Sequence, residues 1–193
     1  YFAAGATLFG SDVAGAYQYP GKEYAGAFEH IRGLDSCQEC HDPHALTVNT
    51  ITCQSCHGTQ NLAAMRVPFG DPIDYDGDGD TEEGVMGEIR TMQEALFAAI
   101  EDYAANTLGT SIVYDAARYP YWLTADGEGY ASWTPKLLRA AYNYTYVSKD
   151  PGAFTHNARY TLEVLYDSIE DIGGAQAVEG MTRPAPQPTF ASN

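Results

Sequence analysis

The sequence predicts a mainly α fold, with about three longer helices and much irregular chain around them. Three observations predict it. In the C-terminal half, apolar residues recur at helical spacing between capping residues. Before that, Gly, Pro and Asp punctuate the chain and no helical period is sustained. All four cysteines crowd into one short stretch of that irregular part. With 193 residues the chain can bury a sizeable core, and it reads as one domain over 1–193.

Residues 1–33 form an N-terminal arm rich in Gly, Ala and Tyr. Within it, Pro20-Gly21 separates two alternating segments, which predicts a short β-hairpin. Residues 34–60 carry the cysteines, with little regular structure expected, and residues 71–84 form a Gly/Asp loop. The helical part spans 85–174. Its first helix, over 88–108, places Ile89, Met92, Leu96, Ile100 and Tyr103 on one face and stops at Gly109. Thr134-Pro135 is an N-cap and first-turn pair for a helix to about Val147. Asn157 caps a third, where Leu162, Leu165, Tyr166, Ile169 and Ile172 share a face before Gly173-Gly174. The tail over 175–193 holds three prolines and little pattern, as an arm on a partner or a disordered end would.

The formal net charge is −16. That argues against nucleic acid or an anionic membrane surface as partner, since phosphates attract Lys and Arg. It also offers a field that steers basic partners. No apolar run is long enough to span a bilayer, so no transmembrane segment is expected. Most of the 15 tyrosines read as packing, each burying a large ring and keeping a polar handle.

The cysteines fall as Cys37-Gln38-Glu39-Cys40-His41 and Cys53-Gln54-Ser55-Cys56-His57. Each is C-x-x-C-H, the attachment signature of c-type haem. Two thiols bond to the vinyl groups on one edge of the macrocycle, and the following His offers its imidazole to iron. Two disulfides would suit an extracellular chain but do not require a His after each pair. A zinc site of two C-x-x-C pairs also leaves both His unexplained. A redox C-x-x-C occurs once, near a βαβ pattern, which is absent from this sequence pattern. Two covalent haems are therefore expected, with His41 and His57 proximal. Such haems are attached outside the cytoplasm, so the expected location is the periplasm, the cell surface or the extracellular space.

Each iron then needs a sixth ligand. His30, His44 and His156 remain, and a second His gives a low-spin centre suited to electron transfer. Met65, Met86, Met92 and Met181 are the sulfur alternatives, with Met92 on an apolar helix stripe. Bis-His ligation is expected at both irons. His30 can fold back over a haem face. His44 follows His41 too closely to reach the far face of the same haem, though it can reach another. His156 stands where a helix starts. Three candidates for two positions leave one imidazole over.

Asp74, Asp76, Asp78, Asp80 and Glu83 alternate with Gly in a pattern like the start of a calcium loop. The acid an EF-hand needs at its twelfth position is Val85 here, with Glu83 early and Glu88 late, so no EF-hand helix pair is implied. Carboxylates this close repel strongly without a cation, which predicts bound Ca²⁺.

The haem motifs and their surroundings resemble a family of bacterial multihaem c-type cytochromes. The likeness runs through Leu8-Phe9-Gly10, Cys40-His41-Asp42-Pro43-His44, Trp133-Thr134-Pro135, Ala140-Ala141-Tyr142-Asn143-Tyr144, the Lys149 to Phe154 stretch and Leu165-Tyr166-Asp167-Ser168-Ile169. His156-Asn157 is similar to the region of multihaem nitrite and hydroxylamine enzymes where a His before Asn is a distal haem ligand. The resemblance implies a multihaem cytochrome c-like fold and the C-terminal part of a longer protein, with further haems upstream. It also allows filaments with a continuous haem chain, built from other cytochromes or copies of this chain. The leading functional expectation is an electron carrier without catalytic residues. A haem redox enzyme, reducing a small oxyanion or peroxide, is the alternative and needs one open iron position.

Overall fold

The computed structural model describes residues 2–31, 33–34, 36–66 and 71–185. Helix α1 spans Phe2–Phe9 and α2 spans Cys37–Cys40. Strand β1 (His41–Asp42) pairs antiparallel with β2 (Thr47–Val48), His41 facing Val48. Helix α3 is Thr50–His57, and α4 is Val85–Asp102, prolonged by a π-turn over Tyr103–Thr107. Strand β3 (Val113–Tyr114) pairs antiparallel with β4 (Trp122–Leu123). Helix α5 is Pro135–Ser148, α6 is Ala153–His156, and α7 is Ala158–Gly173.

The three longer helices form where the sequence places them, and the fold is mainly α. Thr134 caps α5 by accepting from the Leu137 amide, with Pro135 in the first turn. Asn157 caps α7 by accepting from the Tyr160 amide. Helices α4, α5 and α7 close the main core around Met92, Leu96, Ile100, Leu137, Leu165 and Ile169, all at most 1 % exposed. Met92 is thus a core side chain, as its stripe implied. Truncating one such Leu to Ala costs about 2–5 kcal/mol. Phe97, Tyr114, Trp122 and Tyr144 stack against this core, and the Trp122 indole donates to Thr145.

The arm departs from expectation. Residues 2–9 are helical, and no strand occurs among the described residues of 1–33, so the predicted hairpin does not form. The Pro20-Gly21 turn exists, closed by the Lys22 amide on the Tyr19 carbonyl. What should be cross-strand pairing goes instead to side chains of the helices. Asn143 accepts from the Tyr17 amide at 2.7 Å and donates to the Tyr17 carbonyl at 3.0 Å. Glu163 accepts from the Ala25 amide at 2.7 Å. A backbone satisfied this way has no need of a second strand. Ala16 and Ala25 pack beside Tyr160 and Val164 in a smaller second core, fixing the arm along α7.

The cysteine region carries more regular structure than its weak periodicity predicts, in α2, the β1–β2 hairpin and α3. The tail is not simply free. Residues 175–178 form a 3₁₀ turn, and Arg183 pairs with Asp167 while donating to the Glu23 carbonyl. Residues 186–193 lie outside the described residues. Among the described residues, no helix is long and apolar enough to cross a membrane, as expected.

Candidate functional site

Both C-x-x-C-H motifs sit at helix ends. Ser36 and Glu39 form a capping box around the single turn of α2, which holds Cys37 and Cys40. His41 leaves that turn in extended conformation, as the first residue of β1. Asp42 closes the hairpin by accepting from the His44 and Ala45 amides at 2.8 and 2.9 Å. The second motif ends α3, and Gly58 terminates it at φ 70, bonded back to the Gln54 carbonyl. No disulfide joins any two of the four cysteines. Burial raises the Cys40 pKa, with the nearby Cys53 adding to the rise.

The five histidines resolve into two facing pairs and one remainder. The rings of His41 and His156 lie with centres 6.2 Å apart and planes 37° apart. The rings of His30 and His57 lie 6.0 Å apart at 41°. Two imidazole nitrogens on opposite sides of one metal, each at about 2.0 Å, put their ring centres roughly 6 Å apart. Direct stacking of imidazoles would bring them closer.

The second nitrogen of two of these rings is already assigned. Nδ1 of His57 lies 2.7 Å from the Arg66 carbonyl, which only accepts, so Nδ1 is the donor there and Nε2 is the nitrogen left to face a metal. Nδ1 of His156 lies 2.8 Å from the Asp150 carboxylate and donates in the same way. Burial opposes the Asp150 charge, but the His156 contact outweighs it and holds the carboxyl below its ordinary range. Burial and the neighbouring His57 lower the His30 pKa, favouring the neutral, ligating form.

Two features place His156 and His30. Gly152 leaves room for the His156 ring, since a Cβ there would come 2.6 Å from its Cε1. Asn157 donates to the Gly26 carbonyl at 2.9 Å, binding the start of α7 to the chain that leads into His30. Gly10, at φ 52, takes part in the same junction, because a Cβ would strike the Ala25 carbonyl. His44 points from the β1–β2 turn, exposed, with no ring or carboxylate against it among the described residues.

A covalent macrocycle fits these residues in a further respect. From residue 26 to residue 64, no described side chain is buried, and Ile31, Leu46, Val48 and Ile51 stand exposed. A segment without a core of its own needs another apolar body to pack on. The thiols, the paired imidazoles and this apolar lining together suit a haem at each motif.

The acidic loop lies elsewhere, ahead of α4. Carboxylate oxygens of Asp74, Asp76 and Asp78 fall within 4.8 Å of one another, as do those of Asp76, Glu83 and Glu88. Asp80 belongs to neither group, and its Oδ1 accepts from the Glu82 and Glu83 amides. Glu88 is the residue the loop pattern left out. Fully buried, it accepts from the Tyr75 and Asp76 amides and pairs with Arg66. Burial, then the charges of Asp76 and Glu88, push Glu83 up to about 7. Sequence spacing could not find Glu88, Arg66, Asp150 or Gly152, whose roles depend on what the folded chain places beside them.

The chain matches no protein-family model, no curated protein and no solved structure.

Proposed function

We propose that this chain is a dihaem c-type cytochrome that transfers electrons outside the cytoplasm. The observation that carries the reading is the pairing of each motif histidine with a second imidazole at metal-bridging distance, His41 with His156 and His57 with His30. When bound, haem supplies one-electron redox chemistry. The chain's residues do the rest. Cys37 and Cys40, and Cys53 and Cys56, would hold the groups through thioether bonds. His41 with His156, and His57 with His30, would ligate the irons, which would favour electron transfer over substrate binding. Asp150 and the Arg66 carbonyl hold His156 and His57 in the ligating tautomer and steady each ring.

The exposed His44 supports a role within an assembly of other cytochromes or copies of itself, and the net charge of −16 suits basic redox partners. In that assembly the two haems extend a longer path.

Mass spectrometry of the denatured protein tests the first part and should show two haem additions; bare polypeptide, with zinc or disulfides, would refute the reading. His156→Ala should turn one haem high-spin or change its sixth ligand, and His30→Ala should do so at the other. Unchanged low-spin spectra in both variants would reject these pairings.

A further inference from the structure

The strongest site outside the paired histidines is the loop over 74–83. Gly77 and Gly79, at φ 79 and 91, turn it tightly enough to bring alternate carboxylates together. Asp76 is only 6 % exposed, and its Oδ2 is buried without a hydrogen-bond partner. The Glu83 Oε1 is buried and unpartnered in the same way. A buried anionic oxygen left unpaired is costly, and native structures rarely keep two side by side.

The nearest cation does not answer this need. Arg66 bonds Glu88 and the Glu83 carbonyl, and Glu88 uses its other oxygen on the Tyr75 and Asp76 amides. The walls are also shaped closely. Glu83 folds back over Gly87, where a Cβ would strike its Oε2, and Gly77 lies against the backbone of Gly180.

From these observations we infer that the loop is a calcium site, with Asp76 and Glu83 as central ligands and Asp74 and Asp78 completing the shell. The spacing within each group suits one ion, and Asp76 belongs to both groups. Oxygens about 2.4 Å from Ca²⁺ lie at most about 5 Å apart across it, and the oxygens of each group fall within 4.8 Å. The ligand set is oxygen alone, which selects a hard cation over zinc. Mg²⁺ demands near-octahedral geometry at about 2.0–2.1 Å and dehydrates reluctantly, so a wrapped, multi-carboxylate loop favours Ca²⁺. Because Gly77 packs on Gly180, and the Thr182 amide bonds the Tyr75 carbonyl, the ion would pin the C-terminal segment to the start of α4.

The site is independent of the haem reading and is tested separately. Purified full-length protein, stripped with chelator, is titrated with CaCl₂ by calorimetry, and calcium is counted by elemental analysis. One saturable Ca²⁺ per chain and a higher melting temperature are expected. Asp76→Asn and Glu83→Gln should each weaken binding at least tenfold, while Asp126→Asn, in the unrelated turn at 124–128, leaves it unchanged. No saturable Ca²⁺ binding by the folded wild-type protein would overturn the inference, whether or not a variant folds. Covalent haem mass on the same sample keeps failure of this site distinct from failure of the haem reading.

Discussion

Gly152 and Glu163 show how much rests on single positions. Gly152 has ordinary backbone angles, φ −96 and ψ 9, so an alanine there is strained only by space. Its new Cβ would meet the His156 ring at 2.6 Å, and the imidazole would have to leave its partner His41. Gly152→Ala should therefore change the spin state or ligand field of one haem, read by electron paramagnetic resonance, while two covalent haems remain. Glu163 makes a different point. It is fully buried on α7, bonded to the Ala25 amide, near Arg183, Arg159 and Asp167, and burial pushes its pKa up to about 7. The folded chain thus binds a proton more tightly than the unfolded chain between the ordinary carboxyl value and about 7. Its contribution to stability falls as pH rises through that window. Glu163→Gln should flatten this fall and raise stability at pH 8 by on the order of 1–3 kcal/mol, checked by denaturant unfolding across pH.

Elements are joined here by buried polar contacts more than by sheet. Arg66 is the main junction of the second C-x-x-C-H motif. Its carbonyl accepts from His57 at the end of α3, and its side chain reaches Glu88 in the first turn of α4. Removing the guanidinium leaves the Glu88 carboxylate buried and unpaired. Arg66→Ala should therefore cost about 3–5 kcal/mol, measured by chemical unfolding, whereas Arg90→Ala, which breaks the exposed Arg90–Glu94 pair, should cost less than about 0.5 kcal/mol. The predicted arm hairpin is lost to the same kind of contact. Alternating Tyr and Gly around Pro20-Gly21 read as two strands, but Asn143 and Glu163, distant in sequence, bond the arm's amides first.

At the scale of the molecule, a helical core carries two attachments. One is the arm, clipped along α7. The other is the cysteine region, whose described side chains bury nothing of their own. Four of the five imidazoles form two facing pairs, and His44 is left at an exposed turn. If His44 ligates or docks against a haem of another subunit, His44→Ala should shift native material from assemblies toward monomers, read by light scattering. Both haems of the chain should stay low-spin. A wild-type protein that is monomeric with and without its redox partners would remove this role.

The sequence by itself determined whatever depends on neighbours along the chain. Thr134 and Asn157 name their helices because a cap needs only an amide three residues on. Both C-x-x-C-H motifs are legible because their residues are neighbours along the chain. The acidic loop is legible because charge density is written residue by residue. Which imidazole faces which was decided only by tertiary structure. His30 meets His57 because Asn157, Glu163 and Asn143 hold the arm against α5 and α7. His156 meets His41 because Asp150 and Gly152 orient its ring at the end of α6. Glu88 enters the acidic loop's support because α4 begins there and buries it. Spacing along the chain carries no information about such meetings, since the contacts that make them join residues far apart in sequence and form only when the helices pack.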